Sequence, residues 1–319
     1  MALTPPRRGV VPPLCTPLDA TGAVDTGSLG RLVEHLIRGG VHGVFALGSS
    51  GETAYLTDEQ RCVVLETVVA AVRGRVPVLA GVIDTTTPRV LSHARRAAHL
   101  GADSLVATAP FYTRTHPKEI TRHFRALRDA VDLPLFAYDI PVAVGTKLPA
   151  PLVAELAADG TLAGLKDSSG DEGGLRRLLV ALGGRHGRGD GPAPDFTVFT
   201  GSELTVDAAL LAGVDGVVPG LGNVDPAGYV RLYEAALAGD WAQAAKEQER
   251  LVTLFGMVDA GPEAEMGRSS SALGAFKSAL HQLGVIDCGG TAIPQIPLGE
   301  ASEAEVGRLL RGAGLSPVR

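Results

Sequence analysis

Cysteine is scarce in this chain, and aromatic residues make up only 4% of it. The three cysteines, Cys15, Cys62 and Cys288, are odd in number and far apart. That usage argues against a disulfide framework, offers no CxxC metal or redox motif, and points to a reducing cytoplasm. No run of about 20 apolar residues is present to span a bilayer. Behind Arg7 and Arg8, the prolines Pro12, Pro13 and Pro17 interrupt what would have to be the apolar core of a signal peptide, so none is expected. Basic stretches interleaved with aromatics are missing too, and the formal net charge is −6 with a pI near 5.8. The expected partner is therefore a small soluble substrate, with no nucleic acid and no membrane.

Several catalytic signatures are absent as well. Gly48-Ser49-Ser50-Gly51 is one residue short of G-x-S-x-G on either alignment, which argues against a hydrolase nucleophile elbow. There is no P-loop, and Gly220-Leu221-Gly222-Asn223 lacks the last glycine of a dinucleotide fingerprint and has no βαβ unit after it. His93 and His99 do not share a helical face as an i, i+4 metal pair would. Neither a metal nor an organic cofactor is expected.

What the chain does contain is a large apolar fraction, 45% of 319 residues, with 20% charged. That is ample for a sizeable core. Short apolar runs at 10–14, 43–47, 77–82, 104–108, 134–138, 163–166, 197–200 and 216–219 alternate with stretches of helical periodicity. This is the pattern of βα units around a buried parallel sheet. Eight runs predict an α/β fold closed as a (β/α)8 TIM barrel, although an open doubly wound sheet has the same linear pattern. Thr57-Asp58-Glu59-Gln60 reads as a capped helix start, and Thr87-Pro88 as another. Beyond Pro226 the strand signals stop, and helical patterns at 227–237, 241–258, 269–283 and 302–311 predict a C-terminal all-helical extension. The expected domains are a barrel over 1–238 that carries the active site and a helical domain over 239–319. The glycine- and arginine-rich stretch 183–192 is expected to be a mobile, solvated insertion at the N-terminal mouth of the barrel.

Candidate chemistry lies at the ends of the strand runs, where barrel active sites are built. The run at Leu162-Ala163-Gly164-Leu165 ends in Lys166. A primary amine delivered from a dry interior is suited to capturing an electrophilic carbonyl; a lone lysine at such a point also simply marks where a buried strand meets solvent. Ser49 and Ser50 lie between Gly48 and Gly51, so their hydroxyls and the nearby backbone N–H groups could approach a carboxylate closely; a tight βα turn would have the same composition. Tyr112 and Tyr138 stand after the fourth and fifth strands, as proton relays or as packing at the rim.

Taken together, Gly48-Ser49-Ser50-Gly51-Glu52, Pro110-Phe111-Tyr112, Tyr138-Asp139-Ile140-Pro141 and Gly164-Leu165-Lys166-Asp167 resemble, in order and spacing, the motifs of the dihydrodipicolinate synthase / N-acetylneuraminate lyase superfamily. The resemblance implies a class I lyase that binds pyruvate or another 2-keto acid as a Schiff base and joins it to, or cleaves it from, an aldehyde. By this resemblance Lys166 is the Schiff-base lysine and Tyr138 the phenol that moves protons. Ser49, Ser50 and Gly51 hold the keto-acid carboxylate, and Ser49 also links Tyr138 to Tyr112. The tyrosine matching Tyr112 comes from a neighbouring subunit of a homotetramer, a dimer of dimers. Gly201, Ser202 and Glu203 match positions that contact the distal part of the substrate.

Two departures from the pattern shape the expected substrate. Synthases of this superfamily carry an arginine two residues after the proline matching Pro141, where this chain has Ala143, and the usual asparagine of that motif is Asp139. Without a bidentate carboxylate donor, an aldehyde of the sugar-acid type is expected rather than an amino-acid semialdehyde. The alternatives are dihydrodipicolinate synthase itself, a keto-sugar-acid dehydratase using the same imine, and a catalytically silent keto-acid sensor.

Overall fold

A computed structural model describes residues 7–184, 191 and 193–318 of the chain. Eight strands appear in order: β1 (Gly9–Val10), β2 (Val44–Ala46), β3 (Val78–Gly81), β4 (Ser104–Ala107), β5 (Leu135–Asp139), β6 (Gly164–Asp167), β7 (Thr197–Thr200) and β8 (Gly216–Val217). All neighbours pair in parallel, in the order β1-β8-β7-β6-β5-β4-β3-β2. The gap between β1 and β2 is closed by backbone. His42 N donates to Val10 O (2.9 Å), Phe45 N to Pro12 O (3.0 Å) and Leu14 N to Phe45 O (2.8 Å). Closure removes every sheet edge and decides for the barrel over the open sheet. Every strand run expected from the sequence is present.

Strand alternation divides the core into two layers. Val11, Phe45, Leu79, Val106, Phe136, Tyr138, Phe199 and Val218 point inward and fill the barrel, with Phe136 and Phe199 stacked at 6.1 Å between centroids. Their neighbours along the strands, such as Val44, Ala80, Leu105, Ala137, Leu165 and Val198, point outward under the helices. A period of two in strands covered on both faces explains why these segments read as nearly continuous apolar runs.

Helices cover the barrel, and those expected at Thr57-Asp58 and Thr87-Pro88 begin there. The covering helices are α1 (Thr26–Arg38), α2 (Asp58–Val72), α3 (Thr87–His99), α4 (Pro117–Ala130), the single turn α5 (Pro141–Val144), α6 (Ala150–Ala158), α7 (Glu172–Ala181), α8 (Val206–Ala212) and α9 (Pro226–Leu237). Thr57 accepts from Gln60 N while the Gln60 side chain accepts from Thr57 N, a reciprocal capping box. Three further helices follow: α10 (Trp241–Phe255), which packs on α9, then α11 (Arg268–Gln282) and α12 (Glu300–Gly312), which pack on each other. The expected helix over 241–258 stops at Phe255, and its last turn tightens into a 3₁₀ turn, Gly256–Asp259. Residues 185–190 and Pro192, most of the expected glycine- and arginine-rich insertion, lie outside the described residues.

Candidate active site

The parallel register of β5 and β6 sets Tyr138 directly beside Lys166, and alternation turns both side chains into the barrel. Gly164, two residues earlier, allows this. A Cβ there would lie 2.3 Å from the Phe136 ring and 2.7 Å from Thr197 O, so only glycine lets β6 lie against the filled interior at that level. Lys166 is 6% exposed and has no ion-pair partner among the described residues. Its Nζ lies 4.1 Å from the Tyr138 ring centroid and 5.1 Å from that of Phe45. Aromatic faces are the electrostatic support that an amine in this position receives.

The Tyr138 hydroxyl lies 3.4 Å from Ser49 Oγ. Burial raises the proton affinity of this phenol, but the Lys166 charge and hydrogen bonding from Ser49, Lys166 and Ser168 outweigh it, and the phenol falls below its ordinary range. It is thus poised to give up and regain a proton more easily than a free tyrosine.

Ser49 is exposed and Ser50 half-buried, on a loop built from unusual backbone. Leu47 and Glu52 both take left-handed conformations (φ 60° and 57°), bracketing the Gly48–Gly51 turn. Gly51 N donates to Gly48 O at 3.1 Å, and Thr16 Oγ1 donates to Gly51 O at 2.8 Å, which pins the turn to the segment after β1. On the other side of the mouth, a Cβ on Gly201 would lie 2.0 Å from Ser168 Oγ, so the absence of a side chain there leaves space for the Ser168 hydroxyl between the ends of β6 and β7. A cleft of about 800 Å³ runs from the ends of β6 and β7 out between α7 and α8; Asp167, Ser168, Gly201 and Ser202 line its inner end, and Leu175, Leu179, Ala209 and Ala212 its helical walls. Lys166, Tyr138 and Ser49 do not line it.

Four further residues singled out in the sequence lie elsewhere. Glu203 accepts from Leu221 N (2.6 Å) and the Tyr229 hydroxyl (3.5 Å), and burial pushes its carboxyl up to about 7. Tyr112 is 94% exposed at a left-handed φ of 74° and does not reach Ser49 of its own chain. Ala143 is exposed on α5. Asp139 points outward, ion-paired with Lys147 and accepting from Leu148 N at 3.1 Å, so it organises the loop after β5 rather than the barrel interior. Sequence reasoning missed Phe45 and Ser168 at the site. Phe45 carries no signal beyond an apolar strand position, whereas the hydroxyl pair after Lys166-Asp167 could have drawn attention to Ser168.

The model of the dihydrodipicolinate synthetase family matches residues 6–312. The chain belongs to this family. It is 34% identical over 315 residues to the 4-hydroxy-tetrahydrodipicolinate synthase of Phenylobacterium zucineum, covering 98% of this chain and 99% of that one. Among solved structures, the dihydrodipicolinate synthase of Bacteroides thetaiotaomicron superposes with a TM-score of 0.88 at 29% identity, covering 97% and 100% of the two chains. YagE, a prophage protein of E. coli K12 in complex with pyruvate, superposes with a TM-score of 0.87 at 29% identity, covering 97% and 99%. Membership makes this dihydrodipicolinate synthetase family protein a lyase with the pyruvate-dependent aldolase fold, of the Schiff-base class. Among its described residues no helix is long and apolar enough to cross a membrane.

Proposed function

We propose that the protein captures pyruvate, or a closely related 2-keto acid, as an imine on Lys166 and makes or cleaves a carbon–carbon bond to an aldehyde of the sugar-acid type. The observation that carries this is the Lys166 amine held inside the barrel beside the lowered Tyr138 phenol. The amine adds to the keto carbon, the carbonyl oxygen leaves as water, and the protonated imine becomes an electron sink. Loss of a C3 proton then gives an enamine whose C3 attacks the aldehyde carbon; cleavage is the reverse. Tyr138 moves the protons, with Ser49 as its partner, while Ser49, Ser50 and the Gly51 backbone hold the carboxylate.

Gly201 and Ser202, at the end of β7, are assigned to the distal part of the substrate, Gly201 leaving room and Ser202 offering a hydroxyl. Glu203 holds the far wall through Leu221 and Tyr229. Tyr112, exposed and held at positive φ, is assigned to the site of a neighbouring subunit in a homotetramer built as a dimer of dimers, working in the cytoplasm. The protein named YagE supports the keto acid, since its structure holds pyruvate.

A second reading, 4-hydroxy-tetrahydrodipicolinate synthase, is favoured by the name of the Phenylobacterium relative and disfavoured by Ala143, which offers no donor to a second carboxylate. Side-by-side kcat/KM values for aspartate semialdehyde and for small hydroxyaldehydes, each with pyruvate, test the two. An arginine–carboxylate contact is worth about 1.5–3 kcal/mol, so its absence should cost the charged aldehyde roughly tenfold to a hundredfold. A clear preference for the semialdehyde would establish the synthase instead.

A further inference from the structure

Glu52 follows the Ser49-Ser50-Gly51 turn, and Lys277 lies in the middle of α11, beyond the barrel. Both side chains are fully buried, and they form an ion pair with each other. A second bond of Glu52 also crosses between the two regions, while that of Lys277 fixes it within the C-terminal one. Glu52 Oε1 accepts from Ala292 N at 2.7 Å, and Lys277 Nζ donates to Gly290 O at 2.8 Å. Next to Lys277, Phe276 packs on Gly220, where a Cβ would meet its ring at 2.9 Å and Ser50 Oγ at 3.4 Å. The left-handed conformation of Glu52 is costly for a residue with a side chain and persists only when its surroundings over-determine it.

A buried charge pair of this kind contributes little net stability, because desolvation offsets its attraction. It does fix geometry, since neither partner can move without leaving a buried charge unpaired. We propose that Glu52 and Lys277 are positioning residues that let the C-terminal helices hold the Ser49-Ser50 turn at the height where it meets the keto-acid carboxylate. This rests on the assignment of that turn to the carboxylate. The pair touches neither Lys166 nor Tyr138 in any recorded contact, so it acts on capture of the keto acid rather than on the chemistry that follows.

The test is borohydride trapping of pyruvate, read by intact mass and peptide mapping as a function of pyruvate concentration. If wild-type protein takes no label on Lys166, the functional assignment falls, independently of the strut. Given wild-type labelling, Glu52→Gln and Lys277→Met should each raise the half-saturating pyruvate concentration roughly tenfold or more, the value of a charge-assisted contact, with labelling still complete at saturation. Glu52→Gln/Lys277→Met separates positioning from stability. With both charges gone no unpaired charge remains, so thermal stability should recover relative to the single variants while half-saturation stays raised. A folded double variant that binds pyruvate like wild type would overturn the proposal. Wild-type protein offers a readout that needs no variant: trapping pyruvate should slow hydrogen exchange at the Ala292 amide, which is bonded to Glu52. Unchanged exchange there would overturn it as well.

Discussion

Lys166, Lys147 and Lys277 show how one residue type takes different roles according to its partners. Lys147 is engaged by Asp139 and Lys277 by Glu52, whereas Lys166 faces aromatic rings inside the barrel. Borohydride with pyruvate should therefore label Lys166 alone, and Lys166→Ala should abolish turnover while leaving the melting temperature close to wild type; label spread over several lysines would contradict this. Tyr138→Phe keeps the ring beside Lys166 and removes the hydroxyl, so kcat should fall ~10²–10⁴-fold in steady-state assays. Glu203 makes a pH prediction. Its carboxyl is raised in the folded protein from an ordinary 4.5 to about 7, so between these values the folded state binds more protons than the unfolded one. Stability then declines as pH rises through that window, with the penalty absent below pH 4.5 and complete above about 7. Glu203→Gln keeps an acceptor for Leu221 N and should flatten this decline, measured as melting temperature at pH 5 and pH 8.

At the scale of elements, the strand that carries Lys166 depends on a glycine whose necessity is not local. Nothing in Gly164-Leu165-Lys166-Asp167 shows that the Phe136 ring occupies the space beside Gly164; the β5–β6 register brings it there. Gly164→Ala should cost about 1–3 kcal/mol by overpacking, seen as a lower denaturation midpoint. The same shift would displace Lys166 two residues along, so kcat/KM should fall by more than the loss of folded protein explains. The turn after β2 shows the converse: Gly48 and Gly51 announce it in the sequence, but its attachment to α11 through Glu52 and Lys277 spans most of the chain.

At the scale of the whole molecule, Tyr112 is a large hydrophobic side chain left 94% exposed in a single chain. If it completes the site of a neighbouring subunit, Tyr112→Phe and Lys166→Ala should complement each other. Alone, the first is impaired and the second inactive. After subunits exchange at random in a 1:1 mixture, roughly a quarter of the sites should combine an intact lysine with an intact tyrosine, and activity should rise to match. Light scattering should report a tetramer in the same samples, and no gain on mixing would confine each site to one chain.

The succession of strands and helices was legible from periodicity and caps because each depends on residues a few positions apart. The four short motifs, each at a strand end, were enough to suggest Lys166, Tyr138 and the serine pair. Closure of the barrel could not be read in this way, because an open sheet shares the same alternation and only the backbone bonds between the β1 and β2 segments decide it. The family resemblance likewise places Glu203 at the distal part of the substrate, but tertiary structure ties one of its oxygens to Leu221 and Tyr229. Nothing in the sequence around Lys277 shows that folding places Glu52 against it. Local pattern specifies which side chains leave a strand inward, since alternation has a period of two. Which distant group each one meets is decided by packing, because a buried charge or donor is stabilised by whatever partner the folded chain brings to it.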